Sequence, residues 1–402
     1  MTTEPVVDWS TDYDIFDPGY VADPVPVWDE LRDRCPVAHT ERWGGSWLPT
    51  RYDDVVAIAH DVDRFSSREI TVTPRGYAVG TAAEGIKAPP ISSDPPEHLW
   101  ARRLILPAFS PKSVAKYEPY TRDLCRSLID GFIATGTADA AEGYAQQIPV
   151  RVIAQMLGID ESMSDQFTTW VRGVLELGLQ DPELRQQSRN ELIAFFAAEL
   201  ADRKAHPRDD LISELLAAEV DGEPVSDPHI LGTLGLLLIA GIDTTWSSIG
   251  SSLWHLATHP DDRARLARER ELIPTAVEEF LRAYSPVTMA RIVNDETEVN
   301  GACMHAGDRI VLNFPAANRD PSAFDDADQV LIDRAVNRHV AFGVGIHRCA
   351  GSNLARMELR IAIEEWMARI PEFRVADGAV VTWAGGQVRG PRQLPVVFGR
   401  MS

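Results

Sequence analysis

Cysteine is scarce. The 402-residue chain has four, Cys35, Cys125, Cys303 and Cys349, and they are scattered. That excludes a disulfide framework and fits a reducing cytoplasm. Met1 to Pro18 is acidic and has no apolar core of the signal-peptide kind, so no leader is expected. Long hydrophobic runs are missing too. The longest, Ile230 to Ile242, spans 13 residues and includes Thr233, short of the roughly 18 a membrane span needs. Positive charge is in deficit: 39 basic against 60 acidic residues leave a formal net charge of −21. Such a balance argues against nucleic acid or an anionic membrane as a partner. There is no C-x₄-C-x₂-C run and no glycine fingerprint for a dinucleotide, so neither an iron–sulfur cluster nor a bound flavin is expected. The expectation is a cytoplasmic protein without membrane or nucleic-acid partners.

What is present centres on Phe342-Gly343-Val344-Gly345-Ile346-His347-Arg348-Cys349-Ala350-Gly351. Glycines let the backbone turn tightly and lie close to a flat ligand. A strongly helical run, Asn353 to Arg369, follows, so Cys349 falls near a helix start, where the dipole favours a thiolate. Arg348 and His347 add positive charge. A thiolate held this way is a good axial ligand for haem iron. The plain alternative is a buried structural cysteine in a glycine-rich turn. Zinc is a poor reading, because His347 and Cys349 lack a second ligand pair at the usual spacing.

The stretch resembles the haem-binding signature of the cytochrome P-450 superfamily. The pattern is Phe, two residues, Gly, one, His or Arg, one, Cys, one, Gly. Here it is Phe342, Gly345, His347, Cys349 and Gly351, with no departure from the bacterial form. The resemblance implies a mainly α fold with a small β region, the cytochrome P-450 fold. It implies one haem domain over 1–402, with 1–22 as an extended N-terminal arm, 65–93 as a substrate-roof loop and 342–351 as the haem-thiolate loop. By composition alone, 65–93 is a long Gly/Pro-rich loop, either functional or a surface loop.

Other landmarks follow in order. His98 and Arg102 are four apart and share a helical face. In isolation that is equally a solvated basic face; by resemblance the pair grips a haem propionate. The helix from about Pro228 to His259 is apolar nearly all round in its first half, so it is buried. Asp243 and Thr244 then interrupt it, beside the small Ala240-Gly241 pair. A buried acid and hydroxyl need partners. The pair either marks a solvated kink or, by resemblance, forms the oxygen-activating acid–alcohol motif, with water held in a local opening of the helix. Glu279 and Arg282 are three apart and can pair. The resemblance joins them to Arg334 as a structural lock. Asn318-Arg319-Asp320-Pro321 resembles a further landmark.

The implied function is a haem-thiolate monooxygenase: one oxygen atom of O₂ enters a small apolar or aromatic substrate. The implied cofactor is haem b, with Cys349 as iron ligand and His98, Arg102, Arg291 and His347 at the propionates. Asp243 and Thr244 would handle protons. Ile70, Val72, Ile86, Ala240, Val287 and Met289 are the candidate pocket residues. Electrons would come from a separate ferredoxin or similar protein with its NAD(P)H-dependent reductase. Arg102, Arg103, Lys112, Lys116, Arg338, Arg348 and Arg356 are its candidate docking cations, or merely scattered surface charge. A haem-binding sensor or carrier and a peroxide-driven peroxygenase are the rival readings.

Overall fold

The structure is a computed structural model, and it describes residues 4–74 and 86–399. It is mainly helical, with one five-stranded sheet and several small ones. Local signals set many element bounds. Tyr52–His60 is a helix with Asp53 and Asp54 in its first turn, the end where acid is favoured. Gly136 and Gly158, both with positive φ, stop two helical segments. The Asn300-Gly301 turn, with φ of 49° and 81°, joins Thr297–Val299 to Ala302–Met304, as a two-residue hairpin requires. Gln147–Leu157 runs through Ile148-Pro149 without a break. Pro149 sits in the first turn, where its missing N–H costs nothing.

The N-terminal arm is not extended. Trp9–Asp12 and Pro18–Ala22 are short helices, capped by the carboxylates of Asp8 and Asp17. Tyr13, Ile15 and Tyr20 are buried against Trp28, Leu31 and Leu48. Asp14 is also buried and accepts from Trp43 Nε1 at 2.8 Å. The aromatic side chains carry enough apolar area to fold this stretch onto the body.

The main sheet runs Val37–Thr40, Ser46–Pro49, Arg309–Leu312, Met289–Val293, Phe65–Ser66. The 65–93 loop begins as its edge strand, pairing Phe65 with Val293. Gly76, Gly80 and Gly85 lie outside the described residues.

The central helix, Asp227–Thr258, is 32 residues long and starts with Pro228 in its first turn. It packs against Gln147–Leu157, Pro182–Ala205, the helix Ser352–Arg369 that follows Cys349, and the strand Gly390–Gln393. It is the one helix among the described residues long and apolar enough to cross a membrane, but 67% of its most apolar window is buried inside the protein. Beside it, Ile273–Ala283 carries the lock. Glu279 receives Arg282 Nη2 at 2.8 Å and Arg334 Nε at 3.0 Å, with all three side chains buried.

Candidate active site

A cavity of about 1620 Å³, counting its mouth, lies among the cysteine loop, the central helix and the edge of the main sheet. Cys349 and its neighbours form one wall. Gly343 and Gly345 have φ of 65° and 69°, and a Cβ on Gly345 would lie 2.8 Å from the Ala59 carbonyl oxygen. Only glycine fits there. The Cys349 N–H donates to the Phe342 carbonyl at 2.7 Å, closing the loop. The cysteine borders the cavity.

In the protein alone its thiol is pushed up, not down. The residue is exposed to the cavity, yet loss of bulk water around the thiol outweighs the help from the Gly351 N–H, Arg102, Arg348 and Arg356. The helix starts only at Ser352, and desolvation exceeds the dipole effect expected from sequence. A coordinated metal ion would reverse that balance, since a ligating thiol is deprotonated outright.

A cationic edge adjoins this wall. His98 is buried, and neither ring nitrogen makes a hydrogen bond of ordinary geometry. Its ring lies 4.3 Å from that of His347. His347 Nε2 pairs with Ser67 Oγ at 2.9 Å. Burial, then Arg291, His98 and Arg102, push His347 down to about 2. Arg291 is buried and donates to the Ala290 carbonyl at 2.8 Å. Burial pushes it down to about 10. Arg102 donates to the Arg348 carbonyl at 2.5 Å. Neither arginine has an ion pair with a carboxylate among the described residues. Arg102, Arg291 and His347 line the cavity edge, with His98 not among the lining residues but packed edge-on against His347. Two arginines without carboxylate partners suit a ligand that brings its own carboxylates. A haem, with two propionates and an iron that takes one thiolate, fits these residues.

The central helix forms another wall through Ala240, Gly241, Thr244, Thr245 and Ser248. The helix is unbroken, so the expected local opening is absent. The Thr244 hydroxyl donates instead to the Ala240 carbonyl at 2.8 Å. Gly241 is small for a second reason: a Cβ there would meet Ile153 Cδ1 at 2.6 Å. Asp243 is not among the cavity residues. It is fully buried and accepts from Arg392 Nη2 at 2.7 Å through Oδ1, while Oδ2 has no partner. Burial holds its carboxyl above the usual range; Glu176 adds to this, and Arg392 and Arg172 oppose it. Arg392 also reaches Glu176 Oε2 at 2.8 Å and Ser247 Oγ at 3.0 Å. Sequence reasoning missed Arg392 and Glu176, since nothing local marks either as a partner of Asp243.

Of the candidate pocket residues, Ile70, Ala240, Val287 and Met289 line the cavity. Val72 and Ile86 do not. Val72 packs into the N-terminal cluster with Tyr13 and Leu48, because it lies beyond the point where the loop leaves the cavity. Ile86 lies off the wall, its carbonyl taken by Arg189. Pro90, Ile91, Gln387 and Val388 line the cavity instead. Of the candidate docking cations, Arg356 is held by Glu278 at 2.7 Å and stacks over Phe342, while Arg102 is turned inward. Arg103, Lys112, Lys116, Arg338 and Arg348 are exposed and make no ion pair among the described residues.

Comparison with known proteins gives the family. The cytochrome P450 family model matches residues 163–370. A mycinamicin IV hydroxylase/epoxidase of Micromonospora griseorubida is 34% identical over 379 residues, 92% of this chain and 94% of its own length. A vitamin D(3) 25-hydroxylase of Pseudonocardia autotrophica is 34% identical over 97% of both chains. The solved structure of cytochrome P450 CYP109Q5 from Chondromyces apiculatus superposes with a TM-score of 0.87 at 34% identity, covering 97% of this chain and 99% of that one. Fold, site and relatives together show that the chain belongs to the cytochrome P450 family: it is a haem-thiolate monooxygenase that binds haem b and uses an organic substrate, O₂ and redox partners.

Proposed function

We propose that Cys349 is the thiolate ligand of the haem and that Arg102, Arg291, His98 and His347 receive its propionates. One observation carries this reading: Cys349, Thr244 and the two arginines without carboxylate partners, Arg102 and Arg291, all border a single cavity. Haem bound there supplies the activation of dioxygen. The chain's own residues do the rest. Thr244 holds its hydroxyl at the cavity wall, donating to Ala240 and leaving its lone pairs to accept a proton donor. Asp243, next to it on the helix, carries a proton on the unpartnered Oδ2 at a pH where most carboxyls are ionised. Arg392, Glu176 and Arg172 extend that acid to the surface: Glu176 is 15% exposed and Arg172 39%. Glu279, Arg282 and Arg334 hold the fold that positions these groups.

The lining, with Ile70, Ile91, Leu237, Val287, Met289 and Val388, suits an apolar substrate. A vitamin D(3) hydroxylase among the relatives is in keeping with that. The exposed cations near the cysteine loop suit an acidic electron carrier such as a ferredoxin, reduced by its own NAD(P)H-dependent reductase. A cytoplasmic setting fits the reduced cysteines.

The test is Cys349→His. The carbon monoxide spectrum of the reduced protein should move from the thiolate-ligated position to that of histidine-ligated haem, and turnover should cease. An unchanged band would overturn the assignment.

A further inference from the structure

We infer that the protein has a second binding site, for a small organic carboxylate, in a separate cavity that backs onto the substrate wall. This cavity measures about 1490 Å³, counting its mouth. It lies between residues 22–25, the C-terminal end of the central helix at 254–259, residues 283–285 and residues 328–330. Two guanidinium groups border it, Arg319 and Arg389. Arg319 is 8% exposed. It donates Nε to the Ala283 carbonyl at 3.1 Å and Nη1 to the Asp328 carbonyl at 3.0 Å. Arg389 donates Nε to the Val21 carbonyl at 3.0 Å and Nη2 to the Ala22 carbonyl at 2.8 Å. Neither is paired with a carboxylate among the described residues. Nη2 of Arg319 and Nη1 of Arg389 therefore remain as donors.

Of the acids nearby, Asp23 acts on both guanidinium groups through space without an ion pair, and the others are engaged elsewhere or turned to solvent. Asp262 holds His255 Nε2 at 2.8 Å, and Asp328 accepts from Gln329 at 2.9 Å. Asp23 accepts from the Val25 N–H at 3.2 Å, and Asp261 is exposed. Arg319 is a buried charge held by carbonyls and the Tyr284 ring, and Arg389 is part-buried under the Trp383 ring at 4.2 Å; an anion between them offsets the cost of keeping them there. A guanidinium presents a planar fork that a carboxylate matches in two-point fashion. The walls favour a flat apolar body behind the anion. Trp254 and Tyr284 meet edge to face at 5.6 Å, and Arg319 lies 5.7 Å from the Tyr284 ring.

The cavity shares a partition with the substrate site. Tyr284 and Ser285 border the rear cavity, whereas Pro286 and Val287 border the substrate cavity. On the neighbouring segment Arg389 borders the rear and Val388 the substrate side. The two segments are tied together: Arg389 N–H donates to the Pro286 carbonyl at 2.8 Å, and Val287 pairs with Val388 in an antiparallel bridge. A carboxylate that draws on Arg389 thus acts on the residue after Val388, and occupancy of one cavity alters the shape of the other.

The experiment uses the haem-loaded enzyme and para-bromobenzoate, with the neutral para-bromobenzamide as control. Calorimetry should show saturable binding of the acid, at least about tenfold tighter than the amide, and a similar loss in Arg389→Gln. Anomalous diffraction should place bromine in the rear cavity of the wild-type protein, which does not depend on any variant folding. Saturating acid should also change the dissociation constant of phenylimidazole, read from the haem spectrum, by about threefold. Bromine only in the substrate cavity, equal affinity for acid and amide, or no saturable binding would each overturn the site. An unchanged phenylimidazole constant would overturn the coupling.

Discussion

Glu279 and Asp243 are both fully buried acids facing an arginine, on adjacent helices. Their surroundings differ. Glu279 accepts two bonds from Arg282, one from Arg334 Nε, one from the Leu331 N–H at 2.9 Å and one from Asn337 Nδ2 at 3.0 Å. Arg282 spends its remaining donors on the carbonyls of Asn318, Ala327 and Gln329. Asp243 has one oxygen on Arg392 and the other on nothing. A buried ion cluster with every valence filled acts as a clip, and removing one member strands the rest. A half-filled one leaves a place where a proton can come and go. On the proposed function, the difference separates a group that holds the fold from one placed to handle protons.

Glu279→Ala breaks the comparison at its rigid end and should have the largest effect. Removing one partner of a buried pair costs about 3–5 kcal/mol. Loss of haem-loaded folded protein, followed by thermal unfolding and haem absorbance, is expected. A variant with wild-type melting would make Glu279 no clip at all. At the labile end, Asp243→Asn keeps an oxygen for Arg392, so the melting temperature should hold. Product formation should fall by about 10²-fold. The wild-type rate should decline as pH rises through the raised Asp243 pKa, because the carboxyl then has no proton to give. The asparagine variant should lack that limb. Equal rates would place Asp243 beside Glu279 as a structural group.

Thr244→Ala sharpens the comparison further, since it removes a hydroxyl that borders the cavity while leaving the Asp243 pair alone. NAD(P)H should be consumed at a comparable rate while product falls several-fold and hydrogen peroxide makes up the difference. The joint stoichiometry of the three decides it, and full coupling would shift the role to an ordered water or the substrate. The smallest effect belongs to the exposed cations. Arg103→Glu with Lys112→Glu should slow reduction by an acidic partner a few-fold, less at high salt, with melting unchanged. Stopped-flow reduction at two ionic strengths measures it. An equal loss of peroxide-driven turnover would mean damage to the fold instead.

Much of this was legible where the signal is local. The cysteine loop and the long central helix follow from glycines and an apolar run within a few residues of each other. The Glu279–Arg282 pair was legible for the same reason, being one helical turn apart. The Arg334 contact, at 55 residues' separation, came only through the family resemblance. Ile70 and Val72 show the limit. Both are apolar and two residues apart in one loop, yet one faces the cavity and the other the N-terminal cluster. The arm at 4–22 was misread because its aromatics have no visible destination until the sheet and Trp28 supply one.

The sequence by itself determined the glycine-rich cysteine loop, the buried central helix and the Glu279–Arg282 spacing, because each rests on residue pattern and backbone preference over a short span, while the haem-thiolate chemistry and the mainly helical fold came through the family resemblance those residues carry. The tertiary structure alone decided that Asp243 turns from the cavity to Arg392, 149 residues away, and that a second cavity bordered by Arg319 and Arg389 lies behind the substrate wall. Such pairings depend on which surfaces pack together, and that is a property of the whole chain's burial.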